Sequence, residues 1–138
     1  MNNLNISERR NGSVTVLDLK GNIRLGEGGR ELHNTLRSLV EKGEKRILLN
    51  LADVYNIDSS GLGDLVAGFT TLQKNGGELK LLRLTARVHE LMVITKLLTV
   101  FDVFDNEQEA VDSFQAVSQN ADDELITGKL DKALVEAQ

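Results

Sequence analysis

Residues 56–65 read NIDSSGLGDL, and how this stretch is read decides the fold. An acid, Asp58, precedes Ser59 and Ser60, and Gly61 and Gly63 flank Leu62. In local chemistry this is a helix start: one of the two serines caps the helix with its hydroxyl. Gly61 and Gly63 leave the first turn unshielded, so its free N–H groups and positive dipole end face solvent or a partner. Downstream, Leu62, Leu65, Val66, Phe69 and Leu72 form one stripe at helical spacing, and Gly76-Gly77 ends it. Upstream, RILLNL (46–51) is an apolar run of strand length. Its poor alternation is expected of a strand covered on both faces.

The same alternation extends outward in both directions. LNIS (4–7) and SVTVLDL (13–19) flank Asn11-Gly12, a pair suited to a tight hairpin turn. Leu32, Leu36, Leu39 and Val40 mark a helix that ends at Gly43. ELKLLRL (78–84) is a further strand, and Val88, Leu91, Met92, Thr95 and Leu98 mark a third helix. VFDVF (100–104) is a last strand, and Ala110, Val111, Phe114 and Val117 mark a last helix. The order β-β-α-β-α-β-α-β-α implies right-handed crossovers and a mainly parallel sheet, with the hairpin as an antiparallel edge. Residues 1–117 read as one domain. Residues 118–138 are acidic with a sparse apolar stripe, and read as a flexible tail or a weak amphipathic helix.

Composition narrows the function classes. With 138 residues and 41% hydrophobic content, the chain has the material for one core. It has no cysteine, which excludes disulfides and disfavours structural zinc. The formal charge of -5 and the absence of a long basic cluster argue against nucleic acid. No signal peptide and no run of ~20 apolar residues is seen, so no membrane insertion and a cytoplasmic location are expected.

Catalytic readings of the motif fail. A nucleophile elbow needs glycine two residues before its serine, where Ile57 or Asp58 stands. Gly21 and Gly26 have Walker A separation, but Glu27 and Gly28 follow in place of Lys and Ser/Thr. Gly61 and Gly63 continue to Val66, so the dinucleotide fingerprint fails as well. His33 and His89 stand apart on different helices and make no metal cluster. An aspartyl-phosphate receiver needs an acidic pair after its first strand, where Lys20-Gly21 stands; Asp18 is a lone acid.

Residues 51–114, from LADVYNIDSSGLGDL through GGELKLL to VFDVF and the acidic helix start after it, resemble the anti-sigma factor antagonists of the STAS-domain family. The likeness covers residues 4–116, and its specific part is the strand followed by Asp-Ser-Ser-Gly-Leu-Gly. It implies an α/β fold with a mixed sheet of four to five strands, mainly parallel, and helices mostly on one side. It implies no enzyme and no cofactor of its own. By the family's pattern Ser59, directly after the aspartate, is phosphorylated by an anti-sigma factor that is also a serine kinase, which brings the ATP and Mg²⁺. Ser60 is the alternative site. The unphosphorylated form would bind the anti-sigma factor and free the sigma factor, and a phosphatase would reset the phosphorylated form.

Arg24, Asp58, Ser60, Gly61, Leu62 and Gly63 are the residues expected at the partner surface. One departure stands out. Family members often carry Gly-x-(Leu/Ile)-Asp after the second strand, and here Gly21-Asn22-Ile23-Arg24 puts a base in place of the acid. The loop LGEGG (25–29) is also unusually rich in glycine. A second function class stays open: a STAS domain never phosphorylated, acting as a scaffold or small-ligand sensor in a larger assembly.

Overall fold

The computed structural model describes residues 4–26 and 28–116. The expected tail, 118–138, and Val117 lie outside the described residues. The chain forms β1 (Leu4–Asn11), β2 (Val14–Ile23), α1 (Gly29–Glu41), β3 (Arg46–Ile57), α2 (Ser59–Lys74), β4 (Glu78–Leu82), α3 (Ala86–Ile94), β5 (Val103–Phe104) and α4 (Glu107–Ala116). The sheet order is β1-β2-β3-β4-β5, antiparallel between β1 and β2 and parallel throughout the rest. The hairpin closes through Gly12-Ser13, with Gly12 at φ 63, a conformation glycine adopts without cost.

The two faces of the sheet bury different helices. Leu17, Leu19, Ile47, Leu49, Leu79 and Leu81 point to one face, where the buried stripes of α1, α2 and α3 meet them. Val14, Val16, Leu48 and Leu82 point to the other and meet Ala110, Val111 and Phe114 of α4. Ile47-Leu48-Leu49 is therefore apolar without alternation because both of its sides are covered. Lys80 lies under α4, its ammonium 4.9 Å from the centre of the Phe114 ring and donating to Ser113 Oγ at 2.9 Å.

Several boundaries differ from the sequence expectation. β2 runs on to Ile23 and β3 to Ile57, because the two strands keep pairing past their apolar runs, Asn22 with Asn56 and Ile23 with Ile57. β4 stops at Leu82, since Arg83 takes positive φ (53) and donates its N–H to the Phe104 carbonyl. The last strand is reduced to Val103–Phe104, and α3 ends at Ile94, before the expected Leu98. Lys96, at φ 63, closes α3 where glycine is the usual choice.

Candidate functional site

β2 and β3 run parallel and end side by side, with Ile23 opposite Ile57. The Asp58 N–H donates to the Ile23 carbonyl at 3.3 Å, so the chain leaving β3 is fastened to the end of β2. At φ -110 and ψ 179, Asp58 is the extended residue just before α2. Its Oδ1 accepts the Gly61 N–H at 2.7 Å, and its Oδ2 accepts the Leu25 N–H at 3.1 Å. Asp58, not Ser59 or Ser60, is thus the helix cap. The chain turns one residue earlier than expected, and an ionised carboxylate, an acceptor with two oxygens, serves both donors.

Burial alone would push the Asp58 carboxyl up. The N–H groups of Gly61 and Leu25 and the nearby charge of Arg24 outweigh it and hold the group below the usual carboxylate range. The caps leave Ser59 and Ser60 as the first two residues of α2, both exposed. Neither hydroxyl is used to start the helix. Their own N–H groups have no acceptor within it.

The residues expected at the partner surface divide. Arg24, Ser60 and Gly63 are exposed and Asp58 is half-buried. Gly61 and Leu62 are buried, which corrects their placement: the Leu62 side chain, 3% exposed, belongs to the core. A Cβ on Gly61 would overlap the Ile23 carbonyl oxygen, whereas among the described residues nothing lies within 4 Å of one built on Gly63. The first glycine of the motif serves close packing and the second leaves the surface bare.

Sequence reasoning missed Leu25. It is 76% exposed and lies in the loop whose N–H the Asp58 carboxylate holds. Its signal was the glycine-rich setting of residues 25–29, which leaves an apolar side chain nothing to pack against. Gly29, at the start of α1, fits against Arg24 and against Asp64 of α2, where a Cβ would meet the carboxylate. Loop and motif are therefore one surface. Its exposed part is Arg24, Leu25, Gly26, Ser59, Ser60 and Gly63 among the described residues.

Other chemistry is sparse. Among the described residues no three of His, Cys, Asp and Glu are grouped to hold a metal ion. His89 is exposed on α3, and His33 is half-buried on α1. No helix of the described residues is long and apolar enough to cross a membrane.

Residues 5–110 match the family model of the STAS domain. The anti-sigma-B factor antagonist of Bacillus subtilis (strain 168) is 33% identical over 101 residues, covering 73% of this chain and 91% of that protein. The anti-sigma F factor antagonist of Paenibacillus polymyxa is 24% identical over 84% of this chain and 99% of its own length. Among solved structures, the Bacillus cell fate determinant SpoIIAA in its phosphorylated form superposes with a TM-score of 0.63 at 18% identity, over 80% of this chain and 99% of that one. The five-stranded sheet with its antiparallel hairpin, the Asp58-capped turn and these matches agree, and the chain belongs to the STAS-domain family of anti-sigma factor antagonists.

Proposed function

We propose that this chain is a phosphorylation-gated anti-sigma factor antagonist. Unphosphorylated, it binds an anti-sigma factor that is also its serine kinase and so releases the sigma factor. Phosphorylation of Ser59 ends that binding, and a phosphatase restores it. The observation that carries this reading is the exposure of Ser59 on the first turn of α2, its hydroxyl spared from capping by Asp58. The names of the two relatives support the antagonist role, and the phosphorylated form of SpoIIAA supports the gating on a similar fold.

The physics of the gate is local. A phosphoryl group adds about -1.5 to -2 charges and three strong acceptors. At a helix start the group itself is tolerated, because the dipole favours anions. Its cost falls on the complex, where it must be desolvated beside the ionised Asp58. A loss of ~1.4 kcal/mol is tenfold in affinity, so a modest repulsion switches binding without refolding. Arg24 and Leu25 lie on the loop that Asp58 holds, and take part in the same contact.

The test is a pull-down from native cells with wild type and Ser59→Ala, with the phosphate mapped by mass spectrometry. Recovery of an anti-sigma factor with both proteins, and of phosphate on Ser59 in wild type alone, is the expected result. A wild-type protein with no phosphate anywhere in 56–65 and an unchanged partner set favours the scaffold reading.

A further inference from the structure

We propose that the cleft between α1 and α2 is a binding site for the oxyanion head of a small molecule, a carboxylate or a phosphate group. The cleft has a volume of about 240 Å³ and is lined by His33, Arg37, Gly68 and Thr71. It lies away from the Ser59 surface in sequence and rests on different residues of both helices.

One close helix contact borders the cleft. Leu36 of α1 packs so tightly on Gly68 of α2 that a Cβ on the glycine would overlap the leucine Cδ1. The Leu36 side chain takes the place that a side chain on Gly68 would occupy. Three of the cleft's four lining residues carry side chains that can donate. His33 and Arg37 stand one turn apart on the same side of α1, and Thr71 stands across on α2.

Both basic side chains have unused capacity. Nδ1 of His33 is shut off from water and, among the described residues, has no hydrogen-bond partner, an arrangement that is rare for a buried polar atom. As the ring stands, this nitrogen does not open onto the cleft; a turn about the terminal torsion of the histidine exposes it to an acceptor placed there. Arg37 approaches Glu41 only to 3.9 Å, through Nε, with both side chains largely exposed. Such a pair is weak. The terminal nitrogens of the guanidinium remain for a fork of two parallel bonds to an oxyanion. Among the described residues the lining itself carries no carboxylate, and the acid nearest Arg37 in its own helix, Glu41, stands outside that lining.

The experiment titrates the isotope-labelled full chain with sodium acetate and, separately, with inorganic phosphate. Ionic strength is held constant with chloride at neutral pH, and the imidazole nitrogen resonances of both histidines are followed. His89, exposed on α3, is the internal control. The expected result is a saturable shift of His33 with one of the two anions, accompanied by the amides of Arg37, Gly68 and Thr71, while His89 stays still. Arg37→Gln, an exposed position that does not threaten the fold, raises the dissociation constant at least tenfold, and Ser59→Ala leaves it unchanged. The anion that saturates first identifies the head group. Two outcomes overturn the proposal: a linear drift of His33 in step with His89 for both anions, or full affinity in Arg37→Gln.

Discussion

Gly61 lies directly against the carbonyl of Ile23, with no room for a methyl group between α2 and the end of β2. The obstacle is backbone, so it cannot turn aside as a side chain would. Gly61→Ala is expected to destabilise by about 1–3 kcal/mol, the range for overpacking a tight contact. Gly63→Ala meets open space in the same helix and is expected to be neutral or to stabilise by up to about 1 kcal/mol. Urea unfolding of the two variants checks this. Equal stabilities would show that the close approach is not a constraint. The added methyl of Gly63→Ala also lies on the surface proposed for the partner, so this variant separates binding from folding: weaker binding with unimpaired stability is expected.

Asp58 joins two elements through one carboxylate, and two substitutions separate its tasks. Asp58→Ala removes the cap and frees the Leu25 N–H, at a cost of about 1 kcal/mol for the cap alone. Asp58→Asn keeps a side-chain oxygen for Gly61 but cannot serve Leu25 in the same way, so it should retain most of the stability while the 24–26 loop loosens. Denaturation midpoints and amide exchange at Leu25 measure these separately. An Asp58→Ala protein as stable as wild type would remove the capping assignment.

Much of this was legible in the sequence, and the failures have identifiable causes. The alternation of apolar runs located every strand and helix, because stripes such as Leu62-Leu65-Leu72 and Leu32-Leu36-Leu39 are what the core buries. The ends were read less well. β2 and β3 continue past their apolar runs through Asn22 and Asn56, whose side chains hydrogen-bond to each other at 3.3 Å, and polar residues do not announce a strand. The cap was misassigned because Asp, Ser and Ser are all good caps, and only the backbone turn at Asp58 chooses among them. Gly61 and Gly63 look alike in sequence, and the neighbour that distinguishes them, Ile23, lies 38 positions before the first.

The β1 edge of the sheet holds a clasp that sequence periodicity does not show. Arg9 of β1 donates to Asp18 of β2 at 2.6 Å and to Glu107 of α4 at 2.6 and 2.8 Å, and Asn11 donates to the same Glu107 at 2.8 Å. The Arg9 hydrogen bonds lower both acids, Glu107 to about 2, and Arg9 is raised in turn. A carboxyl lowered by folding stabilises above its ordinary pKa, and the contribution fades as pH falls through the folded value. The difference in stability between wild type and Glu107→Gln should therefore be constant above the ordinary glutamate range and shrink steadily towards about pH 2. It should also shrink with added salt, since these side chains are partly exposed. Denaturation midpoints across that acid range decide it, and a difference independent of pH would show that the clasp is not ionic.

Arg24 tests how the site handles charge. Its proximity lowers the Asp58 carboxyl, so Arg24→Asp replaces a favourable neighbour with a repelling one. If Arg24 meets an acidic group on the partner, the unphosphorylated complex weakens at least tenfold. If it instead steadies the phosphoryl group on Ser59, that complex is unchanged and dephosphorylation is altered. Calorimetry with the purified anti-sigma factor, and a dephosphorylation time course, distinguish the two roles.

The switch itself turns on which hydroxyl carries the phosphate. Ser59 and Ser60 are both exposed and neither caps, so geometry alone leaves both open to a kinase; the family signature points to Ser59. Ser59→Ala should fold with stability within about 0.5 kcal/mol of wild type, as expected for a surface change away from caps and core. It should retain the partner complex and lose the phosphate. Ser60→Ala should keep it. Ser59→Asp places one negative charge at the first helical position, where the dipole accepts it, so the fold should persist. Its affinity for the anti-sigma factor should fall at least tenfold, or ~1.4 kcal/mol, because that charge must be buried beside Asp58. Titration of the anti-sigma factor against wild type and all three variants, with the phosphate mapped in each, resolves the assignment. Phosphate on Ser60 moves the site by one residue. A Ser59→Asp protein that binds as tightly as wild type, with no phosphate in 56–65, removes the switch and leaves a binding domain without one.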